Sequence, residues 1–196
     1  MIAILDYGSG NLRSAQRAFA RTGHEVVVTS NSKTFLSADA FVVPGVGAFG
    51  ACMKQLQDID GDSLVRHAIE TNKPLFGICV GMQILFTTGD EKGNHEGLGY
   101  FQGNISKLEA PLLPHIGWNN VEANSPIFDG LNDAMFYFVH SYAAKQAPVD
   151  AKITLTTYGE RFIAAIEKEN IFATQFHPEK SGDTGAKLIS NWAARI

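Results

Sequence analysis

The chain has few cysteines, no excess of basic residues and no long apolar run, and each absence excludes a class of protein. Cys52 and Cys79 are its only two cysteines, too few for a disulfide framework, so we expect reduced thiols and a cytoplasmic location. A formal net charge of −4 provides no basic surface for nucleic acid or an anionic membrane. No apolar run approaches the length that spans a bilayer.

The start of the chain and its histidines exclude two further features. Met1–Leu5 is apolar, but Asp6 follows at once and no basic segment precedes it, which predicts a first strand rather than a signal peptide. Hydrophobic residues make up 45% of the 196 residues, which predicts one domain with one core over residues 1–196. No metal site is predicted, because four histidines lack ligand spacing with cysteines or carboxylates: His24, His67, His95 and His115.

Short apolar strands alternate with helices in the first half of the chain. Leu12, Ala15, Phe19 and Thr22 share one helical face, and Gly23 ends that helix. A second helical stretch includes residues 64–69, and residues 44–50 form a Pro/Gly loop. Such alternation predicts a parallel sheet with helices on both sides. The predicted strands are 1–6, 25–29, 40–43 and 74–78, followed by a helix after Cys79.

The second half reads as strands joined by short turns, so several of them should be antiparallel. A final helix over about Gly185–Arg195 buries Leu188, Ile189 and Trp192. The predicted fold class is therefore α/β, a single-domain, mixed but mostly parallel sheet flanked by helices. The strands predicted here are 100–108, 118–122, 135–139, 152–158, 162–167 and 171–176.

Cys79 lies in Gly77-Ile78-Cys79-Val80-Gly81, where a strand is expected to turn sharply into a helix. This pattern is typical of a nucleophile elbow, whose glycines avoid clashes that a β-carbon would cause. Free N–H groups at the start of the helix would favour the thiolate. An isolated intracellular cysteine is more often a small core residue, and Cys52, which has no such setting, keeps that interpretation.

His177-Pro178-Glu179 could supply a base and a carboxylate for the thiol. In an extended strand, positions i and i+2 point to one face, and Pro178 disfavours a helix. His177 would then take the Cys79 proton while Glu179 orients the imidazole. Alone, the motif is more typical of a strand-end histidine beside a surface glutamate, and only together with the Cys79 turn does it indicate catalysis.

Two backbone segments could stabilise the oxyanion that forms when the thiolate attacks a carbonyl. The first is the N–H of Val80, directly after the nucleophile. The second is the loop Pro44-Gly45-Val46-Gly47, in which glycine lets the peptide between Val46 and Gly47 turn its N–H toward the site. The alternative for this loop is a flexible connection, although loops at the carboxyl ends of strands often build sites in α/β sheets.

Together these segments resemble the class I (triad) glutamine amidotransferases, which have a flavodoxin-like core. Within that family they are most similar to the glutaminase subunits of imidazole glycerol phosphate synthases. The matching segments run nearly end to end: residues 6–14, 44–49, 77–83, Pro114-His115-Ile116-Gly117-Trp118-Asn119, Phe138-Val139-His140-Ser141-Tyr142, and 176–181.

The resemblance implies a role for each matching residue. Cys79 would form a γ-glutamyl thioester from L-glutamine, His177 would act as base and acid, and Glu179 would orient it. Gln83, Gly47 and the backbone of Ser141 and Tyr142 would bind the glutamine. No cofactor is implied.

The resemblance also implies a partner, a (β/α)8-barrel cyclase that receives the ammonia and forms a heterodimer with this chain. Asn11, Trp118, Tyr137 and Lys180 match positions that face the cyclase. Their alternatives are a helix cap, two core aromatics and a surface charge. Two other functions stay open: another class I amidotransferase or γ-glutamyl hydrolase, and a binding module without chemistry.

Overall fold

The computed structural model describes residues 1–146 and 148–196, and its main sheet has seven strands. Five of these strands run parallel, and the two at one edge pair antiparallel. This confirms the predicted α/β class with a mixed, mostly parallel sheet. In spatial order the strands are β11 (Lys152–Tyr158), β12 (Glu160–Lys168), β13 (Ile171–Thr174), β4 (Leu75–Cys79), β3 (Ala40–Gly45), β1 (Ile2–Leu5) and β2 (Val26–Thr29).

Four of the six helices in the described residues correspond to predicted segments: α1 (Leu12–Ala20), α4 (Gly61–Glu70), α5 (Val80–Gln83) and α6 (Gly182–Ala193). The sequence did not indicate α2 (Ser32–Leu36) and α3 (Phe49–Asp58), since α2 is too short for a periodic pattern and α3 starts inside a glycine-rich segment. The helix after Cys79, α5 (Val80–Gln83), is a single turn. Among the described residues, no helix is both long and apolar enough to cross a membrane.

Two smaller sheets complete the fold. One contains β5 (Phe86–Gly89), β6 (His95–Glu96), β7 (Phe101–Lys107) and β10 (Tyr142–Ala144). The other is an antiparallel pair of β8 (His115–Asn120) and β9 (Met135–His140), in which Trp118 lies opposite Tyr137. The predicted strand 118–122 is therefore wrong by a few residues, because pairing with β9 begins at His115 and ends at Asn120.

Aromatic side chains pack α1 and α6 onto the centre of the main sheet. Phe19 of α1 meets the rings of Phe76 and Trp192 edge-on, at centroid distances of 5.6 and 5.5 Å. Phe76 of β4 in turn meets Phe172 of β13 at 5.0 Å. Each such pair contributes roughly 0.5–1.5 kcal/mol beyond its buried area. The packing fixes the central strands, so their carboxyl ends form a firm base for a site.

Candidate active site

Cys79 sits at a sharp turn between β4 and α5, with φ 56° and ψ −110°. A non-glycine residue with positive φ is strained, and such strain is concentrated at functional sites. A β-carbon at Gly81 would lie 1.9 Å from the Val43 carbonyl oxygen, and one at Gly77 would lie 2.8 Å from that of Gly81. Both glycines are therefore required by close backbone approach, as the sequence pattern suggested.

His177 and Glu179 form a buried pair, with Nδ1 of the imidazole 2.8 Å from Oε1 of the carboxylate and each side chain 3% exposed. The prediction that the segment is extended is wrong. β13 ends at Thr174, and Pro178–Lys180 is a 3₁₀ turn that starts directly after His177. Proline favours the first position of a helical turn, and this turn brings the carboxylate back to the imidazole.

The charges around His177 favour its protonated form. Burial alone would lower its pKa, but the charge of Cys79 and the carboxylate of Glu179 outweigh burial and raise the pKa of His177 to about 10. Its Nε2 is buried without a hydrogen-bond partner among the described residues. Catalytic hydrogen bonds are often formed only once substrate is bound, so this Nε2 is available to a substrate.

A cavity of about 520 Å³ opens beside Cys79. Glu179 lies behind His177 and does not border the cavity. Three of the residues expected at the partner interface do not border it either: Asn11, Trp118 and Tyr137. Within the described parts of the chain, no group of three or more His, Cys, Asp and Glu side chains could hold a metal ion. Nine of the residues predicted for the site or interface border the cavity: Val46, Gly47, Cys79, Val80, Gln83, Ser141, Tyr142, His177 and Lys180.

The loop expected to complete the oxyanion hole is held by hydrogen bonds to Ser9 and Cys52. β3 and β4 bring Gly45 level with Cys79, which places Val46 next to the nucleophile. The N–H of Val46 donates to Ser9 Oγ at 3.0 Å. Its carbonyl accepts from Ser9 Oγ at 2.9 Å and from Cys52 Sγ at 3.2 Å.

These hydrogen bonds fix the orientation of two successive peptides in the loop. A trans peptide points its C=O and N–H in opposite directions, so the N–H of Gly47 already points away from Ser9 and Cys52. The N–H of Val46, by contrast, points toward Ser9. It could reach an oxyanion only if the peptide between Gly45 and Val46 rotated; a turn of the peptide between Val46 and Gly47 stays the prediction from the sequence.

Gln83 and His140 both support the backbone of Tyr142. Gln83 Nε2 donates to the Tyr142 carbonyl at 2.9 Å, and His140 Nδ1 lies 3.0 Å from the same oxygen. His140 Nε2 in turn lies 3.1 Å from His115 Nδ1. Burial lowers the pKa of His140 to about 3 and that of His115 to about 4, so both stay neutral and hold this backbone near neutral pH.

Sequence reasoning missed Glu91 and Lys92, which border the cavity. Glu91 Oε2 accepts a hydrogen bond from Phe49 N at 3.1 Å, so it stands at the start of α3 beside the oxyanion loop. No motif marks these residues in the sequence. The only available signal was that β5 and the turn after it follow the elbow closely.

An exposed apolar surface lies beside the cavity on β8 and β9, and we call it the hairpin face. Ile116, Trp118 and Met135 are 59%, 52% and 47% exposed, and the rings of Trp118 and Tyr137 are 6.0 Å apart. A core position for Trp118 is therefore wrong. The same hairpin holds the histidine segment, because His177 N donates to the Tyr137 carbonyl at 2.9 Å.

Asn11 has the role that its alternative interpretation suggested. Its side chain accepts from Ser14 N at 3.3 Å and caps α1, which satisfies one of the free N–H groups at the helix start. Lys180 ends the 3₁₀ turn and reaches the rim of the cavity.

Sequence comparison places the chain among known proteins over nearly its full length. A family model described as glutamine amidotransferase class-I matches residues 3–196. The "Imidazole glycerol phosphate synthase subunit HisH" of Mycobacterium bovis is 52% identical over 97% of this chain and 96% of that protein. Proteins of the same name from Corynebacterium diphtheriae and Thermobifida fusca are 51% and 47% identical, over 97% and 100% of this chain and 97% and 98% of theirs.

Structural comparison gives the same fold at much lower sequence identity. A crystal structure of a glutamine amidotransferase superposes with a TM-score of 0.79 at 19% identity and covers 100% of this chain and 99% of its own. The structure of PurLQS from Thermotoga maritima superposes with a TM-score of 0.74 at 18% identity, over 99% of this chain and 97% of its own.

Proposed function

The chain belongs to the class-I glutamine amidotransferase family and, within it, to the imidazole glycerol phosphate synthase subunit HisH family, and from this premise we propose its reaction. It hydrolyses L-glutamine to glutamate and ammonia and passes the ammonia to a cyclase subunit. The observation that supports this best is a strained Cys79 on a cavity shared with His177, whose Nδ1 is bonded to Glu179. We further propose one domain over residues 1–196 and a cytoplasmic location.

In the first half of the reaction, the Cys79 thiolate attacks the side-chain amide carbon of glutamine and a C–S bond forms. The carbonyl oxygen becomes an oxyanion, for which Val80 N–H and the turned Val46–Gly47 loop are the donors. His177, held protonated by its surroundings, gives its Nε2 proton to the leaving nitrogen. The C–N bond then breaks, and ammonia and the γ-glutamyl thioester are formed.

In the second half, His177 is neutral and takes a proton from water, whose oxygen attacks the thioester carbon. The C–S bond breaks, its electron pair returns to sulfur, and glutamate leaves. Glu179 keeps Nδ1 protonated in both halves, so that Nε2 always faces the reaction.

The substrate is held by both ends in this proposal. Gly47, Gln83 and the backbone of Ser141 and Tyr142 bind the glutamine, as the resemblance implies. Glu91 adds a carboxylate at the rim of the cavity, where it suits the substrate's α-ammonium group. The two charges attract, which orients the amide end toward Cys79.

The hairpin face is proposed as the surface that binds the cyclase, a (β/α)8 barrel, in a heterodimer. Apolar exposure with an aromatic centre is typical of protein interfaces, and Trp118 and Tyr137 supply that centre. Asn11 and Lys180 would contact the same partner. The cyclase would use the ammonia to form imidazole glycerol phosphate and an aminoimidazole carboxamide ribotide in histidine biosynthesis.

Glutamate release from L-glutamine tests this function. The purified chain and Cys79→Ala are assayed alone, with the barrel cyclase, and with the cyclase and its nucleotide substrate. Activity that needs both the partner and Cys79 supports the proposal. Full activity of the chain alone would indicate a different class I glutaminase, and inactivity in every mixture would indicate a binding module.

A further inference from the structure

Gln175 is a fully buried polar residue beside the nucleophile, and the steps above assign it no role. It follows β13, the strand parallel to β4 in which Thr174 lies level with Ile78, so that Gln175 reaches the level of Cys79. Its backbone N–H donates to the Ala164 carbonyl at 2.8 Å, which fixes the main chain there. Its side-chain Nε2 lies 3.8 Å from Cys79 Sγ.

The direction of this contact follows from the hydrogen bonds around it. The carbonyl of Tyr142 can only accept, so the atom of Gln83 that lies 2.9 Å from it must be the amide nitrogen. That nitrogen also donates to Gln175, at 3.0 Å, which must therefore present its oxygen to Gln83. The nitrogen of Gln175 is then left facing the sulfur, and an N–H is aimed at Sγ.

We propose that Gln175 is a further catalytic residue, whose amide N–H, oriented through Gln83 by the Tyr142 carbonyl, stabilises negative charge on Cys79 Sγ. The proposal rests on the function proposed above and adds a residue to it. A hydrogen bond to an ionised group is stronger than one to a neutral group. Before attack, the donor therefore favours the thiolate over the thiol. When the C–S bond of the thioester breaks, it favours the thiolate over the thioester sulfur.

The donor acts in two steps of the reaction. In the free enzyme it helps keep sulfur ionised while His177 holds the proton. When water attacks the thioester, the tetrahedral intermediate collapses and the C–S electron pair passes to sulfur. The N–H of Gln175 then donates a hydrogen bond to the negatively charged sulfur. In the thioester itself the sulfur is uncharged, so the contact is weakest in the state that must be hydrolysed.

Alkylation of the isolated chain by iodoacetamide tests the donor without glutamine or a partner. The rate at Cys79 is measured over a range of pH, with Cys79→Ala to subtract any reaction at the buried Cys52. Gln175→Met keeps the length of the side chain and removes its N–H, and Gln102→Met makes the same change at an exposed glutamine. We expect Gln175→Met to react about tenfold more slowly near neutral pH, as loss of a hydrogen bond to a charged group implies, and Gln102→Met to match the wild type.

Gln83→Glu separates an oriented donor from simple packing. A carboxylate only accepts hydrogen bonds, so it would draw the nitrogen of Gln175 toward itself and turn the oxygen of Gln175 toward sulfur. Alkylation of Gln83→Glu should therefore be at least as slow as that of Gln175→Met, although Gln175 is still present.

The fold of each variant is checked by circular dichroism and thermal unfolding. If a folded Gln175→Met variant were alkylated at the wild-type rate, the proposal would be overturned. A wild-type alkylation rate in a folded Gln83→Glu variant would overturn it as well. Because alkylation needs no glutaminase turnover, these results stand whether or not the chain hydrolyses glutamine. With the complete synthase, Gln175→Met should lower kcat more than it raises KM, since Gln175 contacts the sulfur and not the cavity wall.

Discussion

Replacing Ser9 with alanine should raise the glutaminase activity of the isolated chain. The Ser9 hydroxyl accepts from the Val46 N–H at 3.0 Å and donates to the Val46 carbonyl at 2.9 Å. It thereby holds the peptide between Gly45 and Val46 in the orientation that keeps this N–H from an oxyanion. Removing the hydroxyl leaves the Val46 N–H without its acceptor in the resting loop only. The hydrogen bond to the Val46 carbonyl belongs to the next peptide, so its loss affects the resting and the turned loop alike.

The size of the effect follows from the one hydrogen bond that only the resting loop makes, from the Val46 N–H to Ser9 Oγ. Such a bond contributes roughly 0.5–1.5 kcal/mol, so Ser9→Ala should destabilise the resting loop by about that much relative to the turned loop. Since about 1.4 kcal/mol corresponds to tenfold in an equilibrium, the turned population should rise roughly 2- to 12-fold. Cys52 Sγ, 3.2 Å from the Val46 carbonyl, still donates to it in the variant.

The assay is glutamate release at saturating glutamine by the chain without its partner. Ser9→Thr, which keeps the hydroxyl, and Cys52→Ala, which leaves the Val46 N–H bonded to Ser9, serve as controls and should change the rate much less. In the complete synthase Ser9→Ala should bring little gain, because a partner that activates the chain would already stabilise the turned loop. An unchanged or lower rate for a folded Ser9→Ala chain alone would refute the reasoning.

Three further outcomes are expected. Gly81→Ala should destabilise the fold by several kcal/mol, since its β-carbon would lie 1.9 Å from a backbone carbonyl oxygen; a wild-type melting temperature would contradict this. The raised pKa of His177 makes its charge stabilise the fold below about pH 6.5, its unfolded value, and this stabilisation is lost as pH rises to about 10. Glu179→Gln should therefore show a smaller fall in the free energy of unfolding over that range, and an equal fall in urea titrations would count against the pair. Trp118→Ala should weaken cyclase binding about 30-fold, as an interface hot spot does, while Val149→Ala, at another exposed apolar residue, should leave calorimetric affinity unchanged.

Local sequence patterns predicted the parts of the site that local chemistry dictates. Glycines on both sides of Cys79 indicated a tight turn, and the structure provides the reason in the approach of Gly81 to the Val43 carbonyl. Short apolar runs separated by helices predicted the parallel strands, because only buried strands lack alternation. The glycine-rich loop after β3 was placed correctly at the edge of the sheet that carries Cys79.

The rest depends on contacts between distant parts of the chain, which no local pattern encodes. Ser9 and Val46 are 37 positions apart, and Gln175 reaches Cys79 across 96. Glu91 accepts a hydrogen bond from Phe49 N, which is 42 positions away. No local pattern decides between the interface position expected for Trp118 and its alternative in the core, because its exposure depends on what packs over β8 and β9.

In the resting chain, the buried groups around Cys79 are already oriented for the reaction, whereas the groups nearest to substrate and partner are not. Gln83 and Gln175 already orient an N–H toward sulfur, and Glu179 already orients His177. The Val46 N–H, by contrast, is bonded to Ser9, and His177 Nε2 has no hydrogen-bond partner among the described residues. Both unfinished elements adjoin the hairpin face or the open cavity, since His177 N is bonded to Tyr137. A partner on that face can therefore complete the site by small backbone rotations, whereas the buried nucleophile needs no rearrangement, and ammonia would form only when a receiver is in place.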